Sequence, residues 1–422
     1  MRQTLIAVAR TNPSQTAQTY AALTRVAFNT VEFSGTQPFA ASGTLRNLLV
    51  TTLSAPGAGK SLTYTIRING VDSALTVTLS DADLQQRDTT HAVTIAAGDT
   101  VSIHTTPGGG GAGPLTGTPH ISLDFDSDNP GESVYGFATT VNLSNSVDNF
   151  NGVFMGTAWG ATATVQQNVV AALGSLTALY ARLAAAPGAG NDYTLLVMLN
   201  GVAQDGSGGT VDTRVVISGT ATTGSATFTL PLVAGDVVEL RARPTSSPLA
   251  VIMQVGSRFL ATTDGESQLS SSVANAMSTT ATNFAYGGGL DNTGWNSSET
   301  SRAVRGGITP ITLKRLQVVC TVAPGAAASG KSRTFSYRKN AATPSGAPSA
   351  QVLETAVAAS DLTSVITVLE TDLLGMREVP ANTPASSNAC FTAIQVASVY
   401  PDIPACFPFM GGFGGGSFIG IS

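Results

Sequence analysis

The segment Gly325-Ala326-Ala327-Ala328-Ser329-Gly330-Lys331-Ser332 satisfies the phosphate-loop pattern G-x-x-x-x-G-K-[ST]. That pattern works when a helix begins at the lysine, so that backbone N–H groups and the helix dipole face the phosphates. Here Arg333-Thr334-Phe335-Ser336-Tyr337-Arg338 alternates as a strand does. Two related segments, Gly59-Lys60-Ser61 and Gly190-Asn191-Asp192, occupy the same place in a repeat, and neither keeps the pattern. The expectation is a hairpin loop without a nucleotide, and no cofactor.

Asp124-x-Asp126-x-Asp128-Asn129 copies the first ligands of a calcium loop, where alternating side-chain oxygens converge on one ion. The copy then departs: Asn129-Pro130 replaces the next ligand and the turn glycine, and Tyr135 stands at the twelfth position. A bound cation and the outward residues of a closing strand stay open as readings, with no metal site assigned. Gly98-Asp99 and Gly235-Asp236 precede equivalent strands, and Asp372 keeps the acid alone; an aspartate capping its own turn explains the repetition.

A catalytic triad would need a nucleophile beside a histidine, but His91, His104 and His120 all lie in the first third of the chain. Repeated units elsewhere could not share that chemistry, and no glycine-flanked nucleophile elbow occurs. No catalytic residue is assigned. Paired carboxylates for glycoside cleavage meet in space rather than along the chain, and nothing here singles out a pair. Trp159, Trp295 and Tyr286 suit a sugar-stacking platform or core packing. Trp159 and Trp295 stand 28 and 29 residues before their Pro-Gly, and that shared register favours the core.

These residues ride on a repeat. Ala55-Pro56-Gly57-Ala58-Gly59 returns as Ala186-Pro187-Gly188-Ala189-Gly190 and, altered, as Ala323-Pro324-Gly325-Ala326-Ala327. Pro56 to Asn69-Gly70 and Pro187 to Asn200-Gly201 each span 13 positions, and Pro324 to Asn340 spans 16. Between them lies strand patterning: Leu62-Thr63-Tyr64-Thr65-Ile66-Arg67-Ile68 alternates apolar and polar, and Asn-Gly is a strong hairpin signal. Extra residues in the second copy fall in the Gln204–Gly209 loop, where lengthening costs little. Tyr20, Phe150 and Phe284 are expected to open each unit, with Ile121–Phe125, Val251–Val255 and Cys390–Val396 closing it. The best helical stretch, Thr162–Ala172, is too rich in Val to be convincing.

The fold expected is therefore all-β: three tandem antiparallel β-sandwich repeats of jelly-roll-like topology, at 1–142, 143–277 and 278–406, with a Gly/Phe-rich tail at 407–422. Three similar units can gather about a pseudo-threefold axis, mimicking a trimer within one chain. The last 20 residues carry no charge, but two prolines and six glycines deny them a spanning helix. Phe407, Phe409, Met410, Phe413, Phe418 and Ile419 are instead the expected interface, packed on the chain's own third unit or on a neighbour.

Composition narrows the partners. Only 11% of the 422 residues are charged, against roughly 25% in ordinary domains, and the net charge is −5. Without a Lys/Arg cluster there is no source of counterion release on nucleic acid and none of attraction to anionic lipid, so neither nucleic acid nor membrane insertion is expected. Met1–Arg10 has too short an apolar stretch for a secretory leader, which suits synthesis in a cytosol. Cys320, Cys390 and Cys406 show no metal spacing; buried thiols and a Cys320–Cys390 bridge both remain open.

The run Pro56-Gly57-Ala58-Gly59-Lys60-Ser61-Leu62-Thr63-Tyr64-Thr65, followed by Arg67-Ile68-Asn69-Gly70-Val71-Asp72 and the Gly98-Asp99 turn, resembles repeats in structural proteins of tailed bacteriophages. The resemblance covers the three units but not the tail. It implies a non-enzymatic virion protein, a capsid decoration or a tail or fibre part, made in the host cytoplasm and docking on other virion proteins or on copies of itself. The alternative is an extracellular adhesin or carbohydrate-binding module, with a host-surface glycan as partner.

Overall fold

Alternation along the strands sets the architecture. In Gly57–Ile68, Leu62, Tyr64 and Ile66 are fully buried, while Thr63 and Thr65 face out and bond Thr78 and Thr76 of the next strand at 2.9 Å each. Each buried aliphatic side chain contributes about 1.5–3 kcal/mol, so one face of each strand must be covered by a second sheet. The structure, a computed structural model, describes residues 2–8, 11–23, 28–110, 119–156, 158–163, 167–273, 275–287, 294–299 and 302–397.

Residues 2–127 supply β1 (Arg2–Val8), β2 (Thr19–Ala21), β3 (Gln37–Pro38), β4 (Gly43–Thr51), β5 (Gly57–Ile68), β6 (Val71–Asp81), β7 (Gln85–Ile95), β8 (Thr100–Gly108) and β9 (His120–Ser127). They form two antiparallel sheets, β1-β9-β4-β7 and β2-β8-β5-β6, with β3 also on β8. This is the strand order of a jelly roll, in which the chain crosses between the sheets as it winds.

Residues 132–261 supply β10 (Glu132–Phe137), β11 (Asn149–Asn151), β12 (Asn168–Val169), β13 (Gly174–Leu183), β14 (Gly188–Leu199), β15 (Val202–Ala203), β16 (Val215–Gly219), β17 (Thr223–Leu232), β18 (Val237–Thr245) and β19 (Met253–Ala261). Their sheets, β10-β19-β13-β17 and β11-β18-β14-β15, repeat the same order, with β16 on β14 and β12 on β18. Residues 266–397 supply β20 (Glu266–Val273), β21 (Asn283–Tyr286), β22 (Val304–Arg305), β23 (Ile311–Cys320), β24 (Ser332–Lys339), β25 (Ser349–Leu353), β26 (Ala358–Val368), β27 (Leu373–Ala381) and β28 (Ala389–Ala397). They repeat it again as β20-β28-β23-β26 and β21-β27-β24-β25, with β22 on β27.

Several local expectations change. Glu132–Phe137 lies ahead of residue 142 and pairs with Met253–Ala261, and Glu266–Val273, ahead of 277, pairs with Ala389–Ala397. Tyr20, Phe150 and Phe284 sit in the second strand of each sandwich rather than opening it, opposite His104, Arg241 and Arg377. Within 162–172 the chain forms strand Asn168–Val169, and no α-helix occurs among the described residues. The Pro-Gly turn is not a hairpin: β4 and β5 belong to different sheets, so Pro56-Gly57 turns the corner of the sandwich. The hairpin is at Asn69-Gly70, where Ile68 faces Val71, and at Asn200-Gly201, where Leu199 faces Val202.

The three sandwiches close on each other. The short strand β3 of the first packs on β10, β13 and β19 of the second; β12 of the second packs on β20, β23 and β28 of the third; β22 of the third packs on β1 of the first. A head-to-tail contact that returns to its start makes a ring. The hydrophobic core runs unbroken between the first and third sandwiches, and that of the second takes in Ile394 of the third.

Candidate functional site

The ring junctions are where side chains from different sandwiches are brought together. Register makes His120, Gln254 and Cys390 equivalent, since they face Thr51, Arg182 and Val319 at matching points of β4, β13 and β23. Each receives the preceding sandwich. The Arg305 amide donates to His120 Nδ1 at 3.3 Å, Gln254 Nε2 donates to the Phe33 carbonyl at 3.1 Å, and β12, with Val169, packs on the strand of Cys390. One receiving position thus serves three chemistries. Burial, then the Arg305 charge, brings the His120 imidazole down to about 4, so the ring is neutral and its Nδ1 free to accept.

Close backbone approach marks the same junctions. At Gly256 a Cβ would collide with the Pro38 carbonyl of the preceding sandwich, so only glycine admits the contact. Toward the centre of the ring the sheet edges are capped by glutamines. Gln3 Nε2 donates to the Val134 carbonyl at 3.1 Å and its Oε1 accepts from the Val134 amide at 2.9 Å; Gln395 Nε2 donates to the Thr4 carbonyl at 2.9 Å. The Gln268 side chain accepts from the amides of Ala171 and Ala172 and donates to the Ala172 carbonyl. The Gln3 and Gln395 amides satisfy edge strands β10 and β1, which would otherwise invite pairing with another chain, and Gln268 satisfies the loop after β12. They surround a cavity of about 30 Å³ lined by all three edge strands, β1, β10 and β20.

The sequence candidates fall into place around this frame. Asp124 is buried at the third-to-first junction, where it accepts from Thr4 Oγ1 at 2.9 Å, Asn47 Nδ2 at 2.7 Å and Thr309 Oγ1. Asp126 pairs with Arg2 at 2.8 Å and with Arg46. A bulge in β4 at Asn47, with φ 58°, aims these partners at the acids. Both carboxylates are thereby spent on protein donors, and no metal-binding cluster of His, Cys, Asp or Glu occurs among the described residues. The phosphate-loop look-alike closes on its own acid: the Ala328 and Gly330 amides donate to Glu354 at 2.9 and 3.0 Å, and strand β24 follows at once.

Trp159 is buried against Phe137 and donates its indole N–H to the Met253 carbonyl at 3.1 Å; Trp295 packs between Phe335 and Phe391. Tyr286 is buried as well, under Arg302. None of the three forms an exposed platform. The histidines stay apart. His91 is exposed beside Asp88 at 2.9 Å, and His104 is buried against Tyr20 with Asp72 at 3.0 Å and Thr106 Oγ1 at 3.4 Å. Cys320 and Cys390 are free and buried. Cys320 faces Ala389 while Cys390 faces Val319, which turns the two thiols to opposite faces of the sheet. Phe407, Phe409, Met410, Phe413, Phe418, Ile419 and Cys406 lie outside the described residues.

Two buried charged sites carried no sequence signal. Arg333 and Glu378 meet at 2.7 Å, both fully buried, where the second sandwich has Tyr193 and Ala242. Glu239 is buried with Oε2 unpartnered; burial pushes its carboxyl up to about 7 against the pull of Arg241. Alternation alone reads Arg333 as an inward position, but its type says outward.

No known family matches the chain, and no curated protein does either. No helix among the described residues is long and apolar enough to cross a membrane.

Proposed function

We propose that the chain is a non-enzymatic structural protein of a tailed-bacteriophage particle, a capsid decoration or part of a tail or fibre, that docks on neighbours through its terminal segments. The observation that carries this reading is the closed ring: three jelly rolls joined head to tail, each junction built from buried hydrogen bonds and shared core. Such a ring is a preassembled block that presents three similar faces from one chain, which suits docking into a symmetric assembly. The repeated turns of the sequence support the same class, as does a surface that is polar with few charges.

Cryo-electron microscopy of particles from the native source tests the proposal. The chain is expected in a fixed place, with residues 407–422 against a neighbour. Removing 407–422 should leave the thermal unfolding of the ring unchanged and abolish incorporation; undiminished incorporation would rule out docking by the tail. A soluble monomer absent from any particle would overturn the structural reading. An adhesin would need exposed aromatics, whereas Trp159 and Tyr286 are buried and Trp295 is partly buried against the core.

A further inference from the structure

The junctions are built alike, but the carboxylate that bridges the third-to-first junction is an alanine at both others, Ala97 and Ala234. Of these two, the first-to-second junction alone carries an arginine, Arg182, where the other has Val319. At the third-to-first junction Glu370 reaches across to β7, where Gln85 Nε2 donates to its Oε1 at 3.0 Å and Arg87 Nη1 to its Oε2 at 2.9 Å. Register identifies the same places at the first-to-second junction. Gln85 and Arg87 pair with Thr51 and Leu49; the matching pairs in the second sandwich are Thr223 with Arg182 and Ser225 with Tyr180. Glu370 stands two residues before Asp372, and Ala97 stands two before Asp99. The carboxylate has become a methyl, and the amide and guanidinium have become two hydroxyls.

Those truncations leave a groove. Two recesses of about 300 and 440 Å³ meet at Thr100 and Arg182, within the range of roughly 300–1,000 Å³ typical of ligand sites. The groove has gained a cation from the adjacent strand, because Arg182 stands where the other sandwiches have Thr51 and Val319. Its guanidinium lies over the Phe33 ring at 5.1 Å, and among the described residues no acceptor bonds it. The one acid in the lining, Glu32, is already paired with Arg67 at 2.9 Å. The Thr223 and Ser225 hydroxyls and the half-buried ring of Tyr180 line the second recess.

We propose that this groove binds an acidic saccharide. The sugar carboxylate takes the place at Arg182 that Glu370 fills for Arg87 in the sister junction, as a bidentate pair. Thr223, Ser225 and Thr100 offer hydroxyls to the sugar hydroxyls, and Tyr180 offers a ring face to its apolar side. The site does not depend on the particle reading.

Calorimetric titration of the full chain with trigalacturonate and 3′-sialyllactose, against maltotriose and lactose, tests it. At least one acidic sugar is expected to bind, more weakly at high salt, and the neutral sugars not to. Arg182→Gln should weaken binding about 10-fold or more. Ala97→Glu leaves Arg182 in place and supplies an internal carboxylate, so it should compete binding away with the melting temperature retained. Failure of both acidic sugars to bind, binding that both variants leave unchanged, or capture of a Glu-rich peptide alone would each overturn the proposal.

Discussion

Asn69 and Asp99 hold each other across 30 positions of sequence: Asn69 Nδ2 donates to Asp99 Oδ1 at 2.7 Å, and Asn69 Oδ1 accepts from the Thr100 amide at 2.9 Å. The other carboxylate oxygen of Asp99 caps its own turn at the Ala96 amide, 2.8 Å away. The same clasp recurs as Asn200 with Asp236 at 2.9 Å and Asn340 with Asp372 at 2.6 Å. It ties the β5–β6 hairpin to the turn before β8 and sets where that turn meets the next sandwich. Asp99→Ala removes two charge-assisted bonds, for about 2–3 kcal/mol of local stability given their partial exposure. Hydrogen exchange checks this: amides at 69–72 and 97–100 should exchange faster, with those of the third sandwich unchanged.

Ala341 occupies the position held by Gly70 and Gly201 in the other hairpins, at φ 59° beside their 80° and 79°. A left-handed non-glycine residue costs about 1–2 kcal/mol, partly offset by the greater chain entropy that glycine loses on folding. Ala341→Gly should therefore stabilise the third sandwich by up to about 1 kcal/mol, and Gly70→Ala should destabilise the first by a similar amount. Denaturant midpoints for the two variants should move in opposite directions. A fall for Ala341→Gly would show that the hairpin is unstrained.

The hairpin and turn residues were legible because their chemistry is local. Asn69-Gly70 and Gly98-Asp99 announce positive φ and a capped bend from the sequence alone, and their repetition set the unit length. What the sequence hid was the pairing between them, since nothing along the chain says which turn meets which. The junctions were hidden for the same reason. His120, Gln254 and Cys390 share a task but no chemistry, so no motif connects them, and only strand register shows their equivalence. Asp124 and Asp126 stand out along the chain as alternating acids, but not as the buried junction they make, because their partners come from β1, β4 and the segment after β22.

The neutral imidazole of His120 makes the ring acid-sensitive. Its folded value of about 4 lies below the ordinary 6.5, so the stability it supports is present above 6.5 and is lost as pH falls through 4. Protonation also removes the Nδ1 acceptor for the Arg305 amide. His120→Gln copies the residue that Gln254 supplies at the equivalent junction. Melting temperatures of the natural chain should fall more steeply than those of the variant between pH 6.5 and 4. Parallel curves would place the acid sensitivity elsewhere.

The buried pair of the third sandwich offers the sharpest test of equivalence between repeats. Arg333 donates to Glu378 at 2.7 Å, to the Ser278 carbonyl at 3.0 Å and to the Ala385 carbonyl at 2.7 Å. In the second sandwich Tyr193 Oη lies within hydrogen-bonding reach of the matching carbonyls of Ser144 and Leu249, at 3.2 and 3.1 Å, with one proton to share between them and Ala242 where Glu378 would be. Arg333→Met leaves a buried carboxylate without its cation, costing about 3–5 kcal/mol. Burial already pushes the Glu378 carboxyl up, so the acid should then fold in protonated and the loss should ease at low pH. Arg333→Tyr with Glu378→Ala installs the second sandwich's solution and should recover most of the stability, because desolvating an ion pair yields little net gain over a packed ring and its hydroxyl. Denaturant unfolding of the single and double variants decides it. A double variant no better than Arg333→Met would mean that the third sandwich requires the ion pair, and that Tyr193 and Arg333 share a position without sharing a role.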